Sequence, residues 1–230
     1  MNDNATSIAI LGGTFNPPHF GHIEPALAAI DSIGADKLGL MPCKVPPHKS
    51  LKEANETHRI EMTRLACQVD RRMYVELCEL SMPAPSYSVK TLQALRQNHP
   101  DKTIFFLMGE DSFYQLSSWY NWQALTDFCH LVVMRREMNN TVLPAQQTAW
   151  MSPRKAEIHP KTLRALAGNI FFVETPYYSV SSTQIRQAVA DYVTADSAAA
   201  THIEQQIIKW LPEPVFNYIK ANRLYHSVTS

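Results

Sequence analysis

Short apolar runs alternate along this chain with stretches whose apolar residues recur at helical spacing. Residues 7–11 form a compact apolar run that ends in Gly12-Gly13, the pattern of a buried strand. Over residues 24–33, Leu27, Ile30 and Ile33 recur among alanines and predict a helix that begins near Gly21. A second short strand is expected at 38–41, closed by Pro42, and the proline-rich stretch 43–52 reads as a loop. The spacing of Ile60, Met62, Leu65 and Ala66 predicts a helix over 55–69, followed by a short strand at 73–75. Residues 89–97 read as a helix with Ser86 or Ser88 as its cap. Residues 103–108, apolar after the threonine and followed by Gly109, are the clearest strand. A short helix at 122–128 and a strand at 130–134 follow, then a polar, irregular surface segment at 137–152. The pattern then predicts a helix at 160–167, a last strand at 170–173, and closing helices at 182–189, 200–210 and 215–221.

Strands that alternate with helices in this way imply βα units around a parallel sheet. The 230 residues, 45% of them hydrophobic, suffice for one substantial core. A single domain spanning 1–230 is expected, with 182–230 as a small helical C-terminal subdomain that caps the sheet. Lys plus Arg equal Asp plus Glu at 21 each, so the net charge is zero. That balance argues against sequence-independent nucleic-acid binding, which needs excess cationic charge, and no basic block suggests a membrane surface. The N-terminal stretch has neither the positive charge nor the apolar run of a signal peptide, and runs such as 104–108 are too short to span a bilayer. Cys43, Cys67, Cys78 and Cys129 form no C-x-x-C pair and read as reduced thiols in a cytoplasmic protein. Nothing in the pattern fixes an oligomeric state.

In open α/β sheets ligands bind beyond the carboxyl ends of the strands. The first such crevice is lined by residues 12–22, which contain Gly12, Gly13, Thr14, His19 and His22. The glycines let the backbone approach a ligand closely, and the start of the following helix points N–H groups and a positive dipole end at the same place. His19 and His22 lie three apart, so at a helix start their Cβ atoms would be about 5–6 Å apart on one side. Two imidazoles there can each donate to a phosphate oxygen, and a bound anion would favour their charged form. Three other readings stay open: a tight turn with no ligand, half of a metal site, or surface histidines without a role. The dinucleotide signature G-x-G-x-x-G and the Walker A loop are both absent.

The run Gly12-Gly13-Thr14-Phe15-Asn16-Pro17, followed by His19-Phe20-Gly21-His22, resembles the signature of the nucleotidylyltransferase superfamily. Val180-Ser181-Ser182-Thr183-Gln184-Ile185-Arg186 resembles its second motif. Five further stretches are similar to the bacterial nicotinate-nucleotide adenylyltransferases: Val45-Pro46-Pro47-His48-Lys49, Pro85-Ser86-Tyr87-Ser88, Gly109-Glu110-Asp111-Ser112, Trp119-Tyr120 and Arg135-Arg136. So is Leu211-Pro212-Glu213-Pro214-Val215. Asn16 stands where Asp is common, Val180 where Ile is usual and Ser88 where Thr is usual.

The resemblance implies an α/β, Rossmann-like open parallel sheet with helices on both faces. It implies transfer of the adenylyl group of ATP to nicotinate mononucleotide, with Mg²⁺ accompanying ATP. It assigns His19, His22 and Arg186 to catalysis, and Gly12, Gly13, Thr14, Phe15, Ser182 and Thr183 to ATP; a plain helix cap is the competing reading of Ser182 and Thr183, and spacing alone leaves it open. Lys44, Tyr87, Ser88, Asp111, Trp119 and Arg135 fall to the mononucleotide, with Tyr120 and His48 beside them. Asp111 is the one carboxylate near enough to consider for the metal, and it could instead cap the next helix. Trp119 could instead belong to the core. A different acceptor, such as nicotinamide mononucleotide or phosphopantetheine, and a non-catalytic nucleotide sensor are the competing functions.

Overall fold

The computed structural model describes residues 6–44, 54–135, 143–157, 163 and 165–226. Among the described residues six strands form one sheet: β1 (Ser7–Gly13), β2 (Lys37–Pro42), β3 (Met73–Val75), β4 (Thr103–Gly109), β5 (His130–Arg135) and β6 (Ile170–Glu174). Their order is β3-β2-β1-β4-β5-β6, and every pairing is parallel. From β1 in the middle of the sheet the chain winds outward through β2 and β3, then returns to continue on the other side through β4. The reversal falls between β1 and β4, which opens a crevice beyond their carboxyl ends.

Alternation along β1 divides the core in two. Ala9 and Leu11 face a cluster built with α1 (Phe20–Ile33), α2 (Glu56–Ala66), α7 (Ser182–Thr194), α8 (Ser197–Ile207) and α9 (Glu213–Ala221). Ile8 and Ile10 face a second cluster with α3 (Ser88–Asn98), α4 (Glu110–Tyr114), α5 (Leu125–Phe128) and α6 (Ala145–Met151). Helices thus cover both faces, as a parallel sheet requires. α9 is held there by Val215, Phe216 and Ile219, each at most 1% exposed. Burying each contributes roughly 1.5–3 kcal/mol. Among the described residues no helix is long and apolar enough to cross a membrane.

Several expectations are corrected. α3 has Tyr87 as its N-cap with no side-chain bond, because the Ser86 hydroxyl donates to Glu79 Oε1 instead. Within the segment read as irregular, residues 145–151 form α6, which buries Gln147 and Trp150; Gln147 donates to the Phe113 carbonyl. The expected helix at 160–167 is absent among its described residues, 163 and 165–167. There the Ala165 carbonyl is bonded by His130 Nε2 and the Leu166 carbonyl by Arg96 Nη2. The buried stripe of α2 is Arg59, Met62, Thr63 and Ala66, rather than one through Ile60 and Leu65. α8 starts at Ser197, ahead of the expected 200, because Asp196 accepts from the N–H groups of Ala198 and Ala199.

Candidate active site

The loop from Gly13 to Phe20 crosses from β1 to α1 at the switch point, and neighbouring elements hold it by its carbonyl oxygens. The Cys43 N–H donates to Gly13 O at 2.8 Å. Arg59 Nη1 donates to Thr14 O at 2.9 Å, Arg186 Nη1 to Asn16 O at 3.0 Å, and Ser182 Oγ to Pro17 O at 3.0 Å. The Phe20 N–H donates to Trp210 O at 2.7 Å, and the Tyr225 hydroxyl to Asn16 Oδ1 at 2.6 Å. With those acceptors occupied, the loop is biased toward presenting N–H donors, which suits an anion.

Phe15 takes a left-handed backbone conformation, with φ of 48°. Its buried ring lies so close to Gly13 that a Cβ there would sit 3.0 Å from it. The same ring meets His22 edge-on at 5.3 Å. His19 is the N-cap of α1 and its N–H donates to His22 Nδ1 at 3.3 Å. That contact uses the Nδ1 lone pair and fixes the His22 proton on Nε2. The two imidazoles stack with centroids 3.8 Å apart and planes at 32°. Gly21 permits this packing, since a Cβ there would lie 2.9 Å from His19 Nδ1 and 3.1 Å from Val180 Cγ1.

At α7 the cap is Ser181. Its hydroxyl accepts from the Gln184 N–H at 3.2 Å, and Gln184 Oε1 accepts from the Ser181 N–H at 2.8 Å. Ser182 and Thr183 are therefore not the cap. Ser182 reaches the loop, and Thr183 Oγ1 accepts from Arg186 Nη2 at 3.1 Å. The start of α7 and the loop of residues 13–20 thus form one assembly, with Arg186 bonded to both.

The residues expected at the mononucleotide fall into separate groups. The Lys44 N–H donates to Glu79 Oε1 at 3.0 Å, and its ammonium to the carbonyls of Met82 and Leu80 at 2.7 and 3.4 Å. Glu79 is thus an acid close to Ser86, in a region where only donors were expected. Tyr87 stacks on Tyr120 with centroids 4.5 Å apart, and both rings are exposed. Lys90 Nζ lies 5.5 Å from the Tyr87 ring centre, and the first turn of α3, which Ser88 begins, holds no acidic residue. Trp119 packs against the second core cluster, so the exposed aromatic of that pair is Tyr120. Asp111 is exposed in the first turn of α4; Gly109 is the N-cap there, with no side-chain capping bond. Arg135 ends β5 with its guanidinium 4.7 Å from the Phe172 ring centre, 3.9 Å from Glu110 and 3.5 Å from Glu174. His48 and Arg136 lie outside the described residues.

Three residues were given no role in the sequence reading, although Glu110 lies in the quoted stretch Gly109-Glu110-Asp111-Ser112. Arg59 is 1% exposed and bonded to the loop. Its one signal was its place on the buried stripe of α2. Glu110 is 8% exposed, accepts from the Tyr114 hydroxyl at 2.8 Å, and keeps Oε2 buried without a hydrogen-bond partner. Tyr225 reaches Asn16 across 209 residues of sequence, so no local pattern could indicate it.

A model of the family described as "Cytidylyltransferase-like" matches residues 10–188, which span the loop, the switch point and the start of α7. The chain is 32% identical, over the whole of both chains, to a Pseudoalteromonas atlantica protein named "Probable nicotinate-nucleotide adenylyltransferase". It is 36% identical to a Shewanella frigidimarina protein of the same name, over 95% of this chain and 99% of that one. A Shewanella baltica protein, again of that name, is 42% identical over 80% of this chain and 88% of its own. Among solved structures, Plasmodium falciparum nicotinic acid mononucleotide adenylyltransferase complexed with APC superposes with a TM-score of 0.65, at 15% identity over 96% of this chain and 97% of that one. That likeness shows the shared fold. The chain belongs to the cytidylyltransferase-like family and, within it, to the nicotinate-nucleotide adenylyltransferases.

Proposed function

We propose that the chain joins ATP and nicotinate mononucleotide to give nicotinate adenine dinucleotide and pyrophosphate, a step of NAD biosynthesis, with the cradle between β1, α1 and α7 holding the triphosphate. The observation that carries this reading is the loop itself. Its carbonyls are bonded by Arg59, Arg186 and Ser182, and a stacked histidine pair stands at the start of α1. A Plasmodium falciparum relative of the same fold is described as complexed with NaAD, which agrees with a dinucleotide product.

The nucleophile is a phosphate monoester of charge about −1.5 to −2 at neutral pH, so it needs no general base. One of its oxygens attacks the α-phosphorus of ATP, the bond from that phosphorus to the bridging oxygen breaks, and pyrophosphate leaves with the electron pair. Two anions must meet in line, so the protein supplies position and charge. Gly12, Gly13, Thr14 and Phe15 provide the backbone cradle. His22, with its proton on Nε2, donates to the transferring phosphoryl, and His19 supports it through the ring stack. Ser182, Thr183 and Arg186 serve the leaving pyrophosphate. The exposed pair Tyr87 and Tyr120 stacks the pyridine ring, and the acid-free first turn of α3 at Ser88 receives its carboxylate. Lys44 and Arg135 flank the mononucleotide phosphate.

ATP carries a divalent metal in this family, and we take Mg²⁺ as the ion. No group of three or more His, Cys, Asp or Glu side chains that could hold it occurs among the described residues. A small hard ion of this kind is held mainly by phosphate oxygens and water, with Asp111, exposed in the first turn of α4, as the candidate protein carboxylate. When bound, the ion would neutralise charge on the leaving phosphates.

His22→Ala tests the assignment. Turnover is expected to fall by about 10²–10³-fold, as on removal of one donor to a transition-state oxygen, while the variant still folds cooperatively with at most the modest loss of a helix-cap bond. Near-normal turnover in pyrophosphate release would make His22 a bystander.

A further inference from the structure

The side chain of Arg59 is among the largest fully buried ones in the described chain, at 1% exposure. Its neighbours on the α2 stripe, Met62, Thr63 and Ala66, suit a core; a guanidinium does not. Burying a cation is strongly unfavourable unless an anion accompanies it. The ion pairs among the described residues involve Arg64, Arg72, Arg135 and Lys220, not Arg59. Nη1 donates to Thr14 O at 2.9 Å, while Nε is buried without a hydrogen-bond partner. If Arg59 served only to hold the Thr14 carbonyl, a neutral donor would do so without the penalty of a buried charge.

The carbonyl it holds belongs to the loop that cradles the triphosphate. We propose that Arg59 is the fixed counter-charge of the bound polyphosphate, a positioning residue whose missing anion is the substrate itself. The inference rests on the adenylyl-transfer reading. Through one hydrogen bond it sets the loop, and through its charge it favours an anion in front of the loop, in surroundings where water screens little. Substrate binding then relieves a cost that the unliganded protein carries. The positive charge at the cradle is thus divided between Arg186 at the start of α7 and Arg59 behind the loop.

The test compares wild type with Arg59→Met, which removes the charge, and Arg59→Lys, which keeps it. Pyrophosphate binding is measured by calorimetry and by the rise in melting temperature it produces, beside steady-state turnover of ATP with nicotinate mononucleotide. In Arg59→Met, pyrophosphate affinity should fall at least about tenfold, the loss of one charge–charge attraction at an effective dielectric constant of about 20. The rise in melting temperature should shrink with it. KM for ATP should increase while KM for nicotinate mononucleotide stays within about twofold, and Arg59→Lys should recover most of the affinity. A methionine variant that melts lower yet binds pyrophosphate as wild type does would reduce Arg59 to structural support and overturn the proposal. Should the methionine variant not fold, Arg59→Lys decides alone: retained affinity supports the charge, and loss of about tenfold or more overturns it. A wild type that neither turns over nor gains stability from ATP or pyrophosphate overturns the adenylyl-transfer reading, and this inference with it.

Discussion

Gly21→Ala separates what helix propensity predicts from what the site requires. Gly21 is the second residue of α1, and on propensity alone alanine there should stabilise the helix by about 1 kcal/mol. The packing points the other way. The new Cβ would stand 2.9 Å from His19 Nδ1 and 3.1 Å from Val180 Cγ1, against ordinary contacts that begin at 3.4 Å. The His19 ring would have to retreat by at least about 0.5 Å, the difference between 3.4 and 2.9 Å. His19 is 5% exposed and stacked on His22, so that retreat disturbs both imidazoles. Overpacking of this kind costs about 1–3 kcal/mol, which offsets the propensity gain and leaves a net loss of up to about 2 kcal/mol. The effect on rate should be larger, since misplacing a catalytic group by about 1 Å can cost about 10²-fold, so a loss of about 10–100-fold is expected. Denaturant unfolding gives the first quantity and pyrophosphate release under saturating substrates the second. A variant about 1 kcal/mol more stable than wild type and fully active would refute the reasoning, because propensity would then have won and the His19 position would not matter.

Tyr225→Phe removes the 2.6 Å bond to Asn16 Oδ1 and leaves a buried acceptor unpaired, so denaturant unfolding should show a loss of about 1–3 kcal/mol; an unchanged midpoint would mean that water takes over the bond. Asp36 answers to pH. Burial alone would raise its pKa, but bonds from the hydroxyls and N–H groups of Ser7 and Thr6 outweigh that and hold it below its ordinary 3.8. A lowered folded-state pKa contributes stability that is present above 3.8 and lost as pH falls through the folded value. Melts of wild type and Asp36→Asn should therefore differ most well above that pH and converge below it; a gap that does not change with pH contradicts the assignment.

The strands were legible because each is a short, nearly continuous apolar run bounded by glycine, proline or polar residues, as in 103–109. The loop of residues 12–22 was legible for a different reason: two glycines and two histidines at a strand end constrain the chemistry directly. What stayed hidden is polar but buried. Gln147 faces inward and donates to the backbone, so α6 looked like a surface stretch. Arg59 occupies a core position of α2, and reading it as polar shifted the apparent stripe onto Ile60 and Leu65, both only half-buried. Trp119 and Tyr120 are adjacent, and nothing local says which one turns to the core and which to solvent. The competing reading of Ser182 and Thr183 as a plain cap of α7 falls because Ser181 is the cap, which leaves the Ser182 hydroxyl to hold the loop. The bonds that unite the site run from α2, α7 and the C-terminal segment back to residues 14–17, and separations of 45 to 209 residues leave no periodic trace.

The central claim is that this cradle transfers adenylyl to an acceptor whose ring carries a carboxylate. It is tested most directly by pyrophosphate release from ATP with nicotinate mononucleotide and, separately, with nicotinamide mononucleotide. A kcat/KM at least about tenfold higher is expected for the acid, because an anionic group meets the N-terminus of α3, whose first turn holds no acidic residue, beside Lys90, while the neutral amide gains little there. Equal rates, or a preference for the amide, would contradict the assignment of the carboxylate to Tyr87 and Ser88; no release with either would contradict the transfer itself.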